Sequence, residues 1–235
     1  MRTLGRIAVC LLAAICLLGA CAVSAEEIAD GNFAVFGSYE QDNDDSDGTE
    51  PIEWIILAER DDSVLLLSRY ALAAQPYYEL YRTRYWKDCD LRVWLNGTFL
   101  QEAFSAEEQD AILLTEVDNG SSQGYAPWIS SGCENTSDRI FVLSYTEAMT
   151  YFASDEERMC APTAAAAAGG VWQSSLGQEA DGTAACWWWL RSPGGHQGYY
   201  SAAVRSSGSI LYTFVSSRSV GVRPAMWVSK DAVFS

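Results

Sequence analysis

The chain has 235 residues, 49% of them hydrophobic and 12% aromatic, which is too apolar for a disordered segment and enough to build one large domain or two small ones. Against 31 acidic side chains stand 15 basic ones, a formal charge of −16. A polyanion of this size repels nucleic acid and anionic lipid, so neither is expected as a partner.

The N-terminus reads as a targeting segment. Arg2 and Arg6 precede an apolar run of 14 residues, Ile7 to Ala20, and small residues follow. That run falls short of the ~20 residues needed to cross a bilayer. Val23-Ser24-Ala25 before Glu26 fits a signal-peptidase site, whereas Leu18-Gly19-Ala20-Cys21 resembles a lipoprotein lipobox that would put a lipid on Cys21. The folded region reads as starting near Ile28, which leaves almost no tether after Cys21 and favours a signal peptide of residues 1–25. Either route places the mature chain outside the cytoplasm, secreted or envelope-attached. Membrane attachment is expected only through a lipid on Cys21. Residues 1–25 contain no acid, so losing them makes the charge two units more negative.

Beyond the leader four cysteines remain, Cys89, Cys133, Cys160 and Cys186. An even number in an exported chain favours disulfides, and the absence of any C-x-x-C spacing argues against zinc. Three pairings are open, of which Cys160–Cys186 with Cys89–Cys133 is the one expected.

Asn32 to Glu40 reads as a first strand with Gly37 allowing a bend. The acidic run Asp42 to Gly48 has the composition of a calcium loop but the wrong register. Counting back from Gly48 puts Trp54 where a bidentate Glu is needed, so a solvated turn is expected. Ile52–Leu57 and Ser63–Ser68 read as a central hairpin joined at Arg60-Asp61-Asp62. A tyrosine- and arginine-rich connection, Tyr77 to Tyr85, follows.

Leu91, Trp94, Leu95 and Phe99 share one helical face. Ser105 with Glu108 and Ser144 with Glu147 have capping-box spacing and predict helix starts. Asn119 to Asn135 reads as a surface loop and Arg139 to Ser144 as a buried strand. Pro162-Thr163 opens an alanine helix that Gly169-Gly170 stops. From Cys186 to Val228 the pattern is a tryptophan strand, a glycine-rich loop, a hairpin turning at Ser206–Ser209 and a last strand. No repeat or linker divides the chain, and one mixed α+β domain over residues 28–235 is expected.

These segments in this order (FGSYEQDND, EPIEWIIL, LLLSRYAL, CDLRVWLNGTF with AFSAEEQ, DRIFVLSYTEA, CAPTAAAAA, CWWWLRSPG and GVRPAMWV) resemble a bacterial domain-of-unknown-function family with the signature WWLRSPG…GVRPA. The resemblance runs from about residue 32 to 228 and carries no activity with it. A more distant likeness runs to the C-type-lectin-like fold of formylglycine-generating (sulfatase-modifying factor) enzymes and retroelement variable proteins. It implies a mixed sheet with flanking short helices and a ligand surface between the tryptophan/arginine strand and the Gly-Val-Arg strand. On this chain that surface is the loop Gly194 to Tyr200 and the region Ser206 to Ser219. The enzymes of that fold bind copper through two closely spaced C-terminal cysteines. Here no cysteine follows Cys186 and Cys160 lies 26 residues upstream, which argues against the same reaction.

Catalytic signals are thin. His196, the only histidine, sits among glycines and could serve as a general base, but a loop role is the simpler reading. No nucleophile elbow, zincin helix or phosphate loop is present, and no carboxylate pair is singled out for glycoside cleavage. No metal or cofactor is expected.

Aromatic rings are the other resource, with 9 Trp and 12 Tyr. Alternation in a strand puts Trp187 and Trp189 on one face and Trp188 on the other, so at least one face is core. Trp188 is assigned a structural role. So are Arg191 and Arg223, which need a carboxylate such as Glu53 or Asp138, or several carbonyls, inside apolar strands. The candidate ligand-binding residues are His196, Gln197, Tyr199, Tyr200, Arg205 and Tyr212. The expected function is non-enzymatic recognition of an extracellular protein or carbohydrate. The alternatives are an enzyme distantly related to sulfatase-modifying factors with a different active site, and a structural envelope domain.

Overall fold

The computed structural model describes residues 33–123, 132–178, 182–194 and 198–234. The leader with Cys21 and both cleavage sites lies outside the described residues. No described helix is long and apolar enough to cross a membrane.

The architecture is α+β, two curled half-barrel sheets with short helices. The first sheet is antiparallel and contains β1 (Phe33–Tyr39), β2 (Glu50–Arg60), β3 (Ser63–Ser68) and, closing it, the last strand of the chain, Ala225–Ser229, in the order β1-β2-β3-last. Every residue of β3 is buried, because it lies between β2 and the last strand and is covered on both faces. β1 bends at Gly37, as its sequence suggests: φ is +70° and the pairing with β2 slips between Val35 and Ser38. A Cβ at Gly37 would sit 2.5 Å from the Phe104 ring and 2.6 Å from the Ala103 carbonyl. Gly37→Ala should therefore cost about 1–3 kcal/mol in a denaturation measurement, from the left-handed backbone and the clash together.

The second sheet adds β4 (Ala73–Ala74) to four strands from the C-terminal region. Between the sheets come two short ribbons. β5 (Thr115–Val117) pairs with β6 (Thr136–Asp138), and β7 (Gln173–Gln178) with β8 (Ala184–Cys186). Then follow β9 (Trp188–Pro193), β10 (Tyr200–Val204), β11 (Ile210–Phe214) and β12 (Gly221–Val222), and β13 (Ala225–Ser229) is the strand that returns to the first sheet. The second sheet has the order β11-β10-β9-β12-β4, with β12 parallel to β9 and the other pairs antiparallel.

Two chain segments cross from sheet to sheet side by side, Arg69–Leu72 and Arg223-Pro224. Ser68 donates its amide to the Pro224 carbonyl and Leu72 to that of Val222, both at 2.9 Å. The Gly-Val-Arg-Pro-Ala signature is thus a seam between the sheets, which share one hydrophobic core.

Helix positions follow the sequence signals. Leu91, Leu95 and Phe99 are buried along a helix that runs from Asp90 through a π-turn to Ala103. Both capping boxes form, Ser105 with Glu108 and Ser144 with Glu147. Thr163 caps Ala164–Ala168, and Gly170 ends that turn at φ +114°.

Two expectations are corrected. Ile140–Ser144 is buried, but the segment bends at Arg139-Ile140 and only Phe141 bridges, to Ala225. Several of its other backbone groups find partners outside a sheet. The Asn96 amide side chain takes the Arg139 and Ile140 N–H groups, and the Leu143 carbonyl accepts from Arg191 N.

The expected disulfides Cys160–Cys186 and Cys89–Cys133 are not formed. Cys89 Sγ instead accepts the Arg92 amide at the start of the Asp90–Trp94 helix, and burial pushes its thiol pKa far up. Cys133 Sγ meets the Lys87 backbone amide. Cys160 Sγ donates toward the Arg69 and Ala161 carbonyls at 3.5 and 3.3 Å. Cys160 and Cys186 do meet, but through the backbone, Cys186 N to Cys160 O at 2.8 Å. Buried thiols here act as small apolar side chains.

Candidate ligand-binding face

The β10–β11 hairpin carries alternating aromatic residues. Tyr200 pairs with Phe214 and Ala202 with Tyr212, so strand alternation puts Tyr200, Tyr212 and Phe214 on one face. The Tyr200 ring stacks on Phe214 at 4.9 Å and meets Tyr212 edge-on at 5.2 Å. Tyr81, from the tyrosine- and arginine-rich connection, extends the series with its centroid 5.2 Å from both Phe214 and Tyr199. Five rings therefore run without a gap in the order Tyr199, Tyr81, Phe214, Tyr200, Tyr212.

Backbone bonds fix the connection against the hairpin. Tyr78 N donates to Val215 O, Val215 N to Tyr199 O and Arg84 N to Gly198 O, at 2.9–3.0 Å. Gly198 permits this approach: its φ is +63°, and a Cβ there would lie 2.6 Å from Thr83 Cγ2. On the far side, Tyr212 closes over Gly194, where a Cβ would come within 2.3 Å of the Tyr212 Cβ.

The face is open to solvent at its centre. Tyr81 is 57% exposed, Phe214 47% and the neighbouring Leu80 54%, while Tyr199, Tyr200 and Tyr212 are half-buried. Desolvation, then the Tyr200 and Tyr199 hydroxyls, raise the Tyr81 phenol pKa, so it stays a neutral hydrogen-bonding group at neutral pH.

Three of the six residues read from the sequence, Tyr199, Tyr200 and Tyr212, thus share one surface. His196 and Gln197 lie outside the described residues. Arg205 is elsewhere, at the turn end of the hairpin, about a strand length (~17 Å) from Tyr200. Its guanidinium lies over Trp187 at 5.4 Å. Trp187 in turn lines an open groove of about 200 Å³ with Trp172, Thr213, Ser217, Ser219 and Val220. Of the two most exposed rings of this face, Phe214 falls within the region Ser206 to Ser219 that the lectin-like resemblance implies, without being singled out, and Tyr81 falls outside it. Tyr81 belongs to the tyrosine- and arginine-rich connection, whose composition does not single out one ring.

The signature residues lie deeper. Trp188 and Trp189 are both fully buried and donate their indole N–H groups to Arg158 O and Gln75 O, at 3.0 and 2.8 Å. Arg191 does not reach Glu53 or Asp138. It forks onto Glu147 with both terminal nitrogens, and they also donate to Val142 O and Asp118 O at 3.0 and 3.1 Å. Glu147 closes a capping box at the same time, so β9 is tied to that helix start. Arg223 has carbonyls in place of an acid, Ser68 O at 2.8 Å and Arg69 O at 3.3 Å, with the Trp188 ring 5.0 Å away. The acids expected for these arginines are engaged otherwise. Glu53 pairs with Arg69, and Asp138 accepts from Arg92, Trp86 and Thr136.

Two other features are too slight to hold a ligand of any size. The cavity beside Arg191 and Asn119 is about 10 Å³, room for one water. At the solvated acidic turn, oxygens of Glu40, Asp42 and Glu50 lie within 4.8 Å of one another. They already accept the turn's own amides from Gln41, Asn43 and Asp44.

Comparison with curated proteins and with solved structures found no match. A family model matches residues 61–230, from the β2–β3 turn through the last strand. The chain therefore belongs to the family described as a domain of unknown function (DUF6273).

Proposed function

We propose that this chain is an extracytoplasmic, non-enzymatic recognition domain, C-type-lectin-like in outline, that binds its ligand on the five-ring face. The observation that carries the reading is the continuity of Tyr199, Tyr81, Phe214, Tyr200 and Tyr212, with the two most exposed rings at the centre. Large aromatic rings left in water by a chain able to bury Trp54, Trp86, Trp188 and Trp189 completely are a recognition surface rather than surplus core. The lectin-like outline rests on the adjacency of β9 and β12, the tryptophan/arginine and Gly-Val-Arg strands.

Protein and carbohydrate ligands both use such surfaces, and four tyrosines among five rings favour carbohydrate. Tyrosine offers an apolar ring for a sugar's C–H face and a hydroxyl for its polar edge. The test is a screen of purified protein against glycans and surface proteins, beside a Tyr199→Ala/Tyr200→Ala variant of matched circular dichroism. A ligand that binds the parent and is lost or weakened at least ~10-fold in the variant supports the reading. A ligand that binds both equally moves the site elsewhere, and self-association of the parent with no ligand favours a structural envelope role.

A further inference from the structure

We propose that Arg82 and Arg84 form an anion-recognising corner of the aromatic face, and that its ligand is a carboxylate-bearing sugar. The inference rests on the recognition reading above and names its ligand class.

Both arginines converge on one phenol. Arg82 donates through Nε and Nη2 to the Tyr78 hydroxyl at 3.2 and 2.6 Å, and Arg84 through Nη2 at 2.9 Å. Their guanidinium carbons also lie 5.4 and 4.4 Å from the Tyr78 ring centroid. Two cations thus converge on a single neutral oxygen, with Arg84 Nη1 also on the Thr83 carbonyl at 3.3 Å, and an anion beside them would offset their mutual repulsion.

The surroundings make this unusual. The chain carries twice as many acids as bases, and Arg69, Lys87, Arg92, Arg158, Arg191, Arg218 and Lys230 each have a carboxylate. Among the described residues no acid is paired with Arg82 or Arg84. Other arginines without an acid, such as Arg139 and Arg223, lie singly against carbonyls. Arg84 Nε is buried with no acceptor, a state it shares with Arg191 Nε and Arg223 Nη1. The two guanidinium groups hold the Tyr78 phenol pKa below its usual value, led by the Arg82 bond, a sign of local positive potential in an acidic protein.

Position completes the argument. Tyr81 directly precedes Arg82, and the Arg84 amide is bonded to Gly198, next to Tyr199. A pyranose ring stacked on Tyr81 and Tyr199 would therefore adjoin the segment that carries both arginines. The Arg82 Nε/Nη2 edge is engaged by Tyr78, so a carboxylate would be met by the remaining terminal N–H groups of the two guanidiniums. The chain's overall field still repels dense polyanions, so the ligand is a short or sparsely charged oligosaccharide.

Calorimetric titration with a uronic-acid oligosaccharide, and with the same oligosaccharide carboxyl-reduced to primary alcohols, tests this directly. The parent protein should bind the acidic form about 10-fold more tightly, the contribution of one charge-assisted hydrogen bond. That preference should shrink as salt rises. Arg82→Gln/Arg84→Gln should bind both forms alike, while Tyr81→Ala should weaken both by the same factor. Equal binding of the two forms by the parent overturns the proposal without needing any variant to fold, and leaves the recognition reading intact. Binding of a peptide but of neither sugar also overturns it. No binding to any probe in the wider screen would remove both readings together.

Discussion

Arg191→Ala should lower the free energy of unfolding by about 3 kcal/mol, the lower end of the range for breaking a buried ion pair. The guanidinium is almost wholly buried, while the Glu147 side chain keeps 28% of its exposure, so the carboxylate left behind retains water and its capping bond to Ser144. That exposure discounts the loss. What remains is considerable. The Val142 and Asp118 carbonyls lose their donor, and β9 is released from the helix start at Ser144. Arg191→Met restores the volume but not the donors and should recover only part of the deficit. Urea denaturation of the two variants and the parent measures all three. Equal stability of parent and alanine variant would mean that the Leu-Arg-Ser segment does not tie β9 to the helix.

Trp188→Ala should cost about 3–5 kcal/mol, the range for truncating a buried aromatic residue. The indole is fully buried, caps the Arg158 carbonyl and forms the floor beneath Arg223. Truncation opens a cavity at the seam between the sheets. It also strips Arg223, whose Nη1 already lacks an acceptor, of the nearer of its two rings, leaving Phe152 at 5.7 Å. Trp172→Ala is the internal control: that side chain is 57% exposed and should shift stability by less than ~0.5 kcal/mol. Thermal unfolding followed by circular dichroism compares them without relying on the tryptophan signal being removed. Similar melting points for the two variants would contradict the seam.

Local rules carried much of the fold. Capping boxes at Ser105 and Ser144, the glycine bend at Gly37 and the Leu91/Leu95/Phe99 face all rest on short-range chemistry, and all are seen. Partners across space were not legible in the same way. That Arg191 and Arg223 must be buried and bonded followed from their apolar strands. That one finds Glu147 and the other only carbonyls depends on which loops the two sheets bring together. Arg139–Ser144 has the composition of a strand, yet the Asn96 side chain takes two of the amides a neighbouring strand would have used. The thiols illustrate the same limit, since an even count says nothing of how the side chains point.

The candidate face divides along this line. Tyr199, Tyr200 and Tyr212 were legible because they flank a glycine-rich loop and alternate along a hairpin. Tyr81 joins them from more than a hundred residues upstream, held by backbone bonds among Tyr78, Val215, Tyr199, Arg84 and Gly198 that no local pattern encodes. Arg205, next to the hairpin turn in sequence, was carried to its opposite end by the length of one strand.

The central claim is that these rings are kept in solvent for a ligand and not for packing. Measuring melting temperature and ligand affinity together for Tyr81→Ala tests it most directly. The account predicts a melting point within ~2 °C of the parent, as for other exposed positions, with affinity reduced at least ~10-fold. A melting point lowered by ~8 °C or more with affinity unchanged would show Tyr81 to be part of the core and contradict the account.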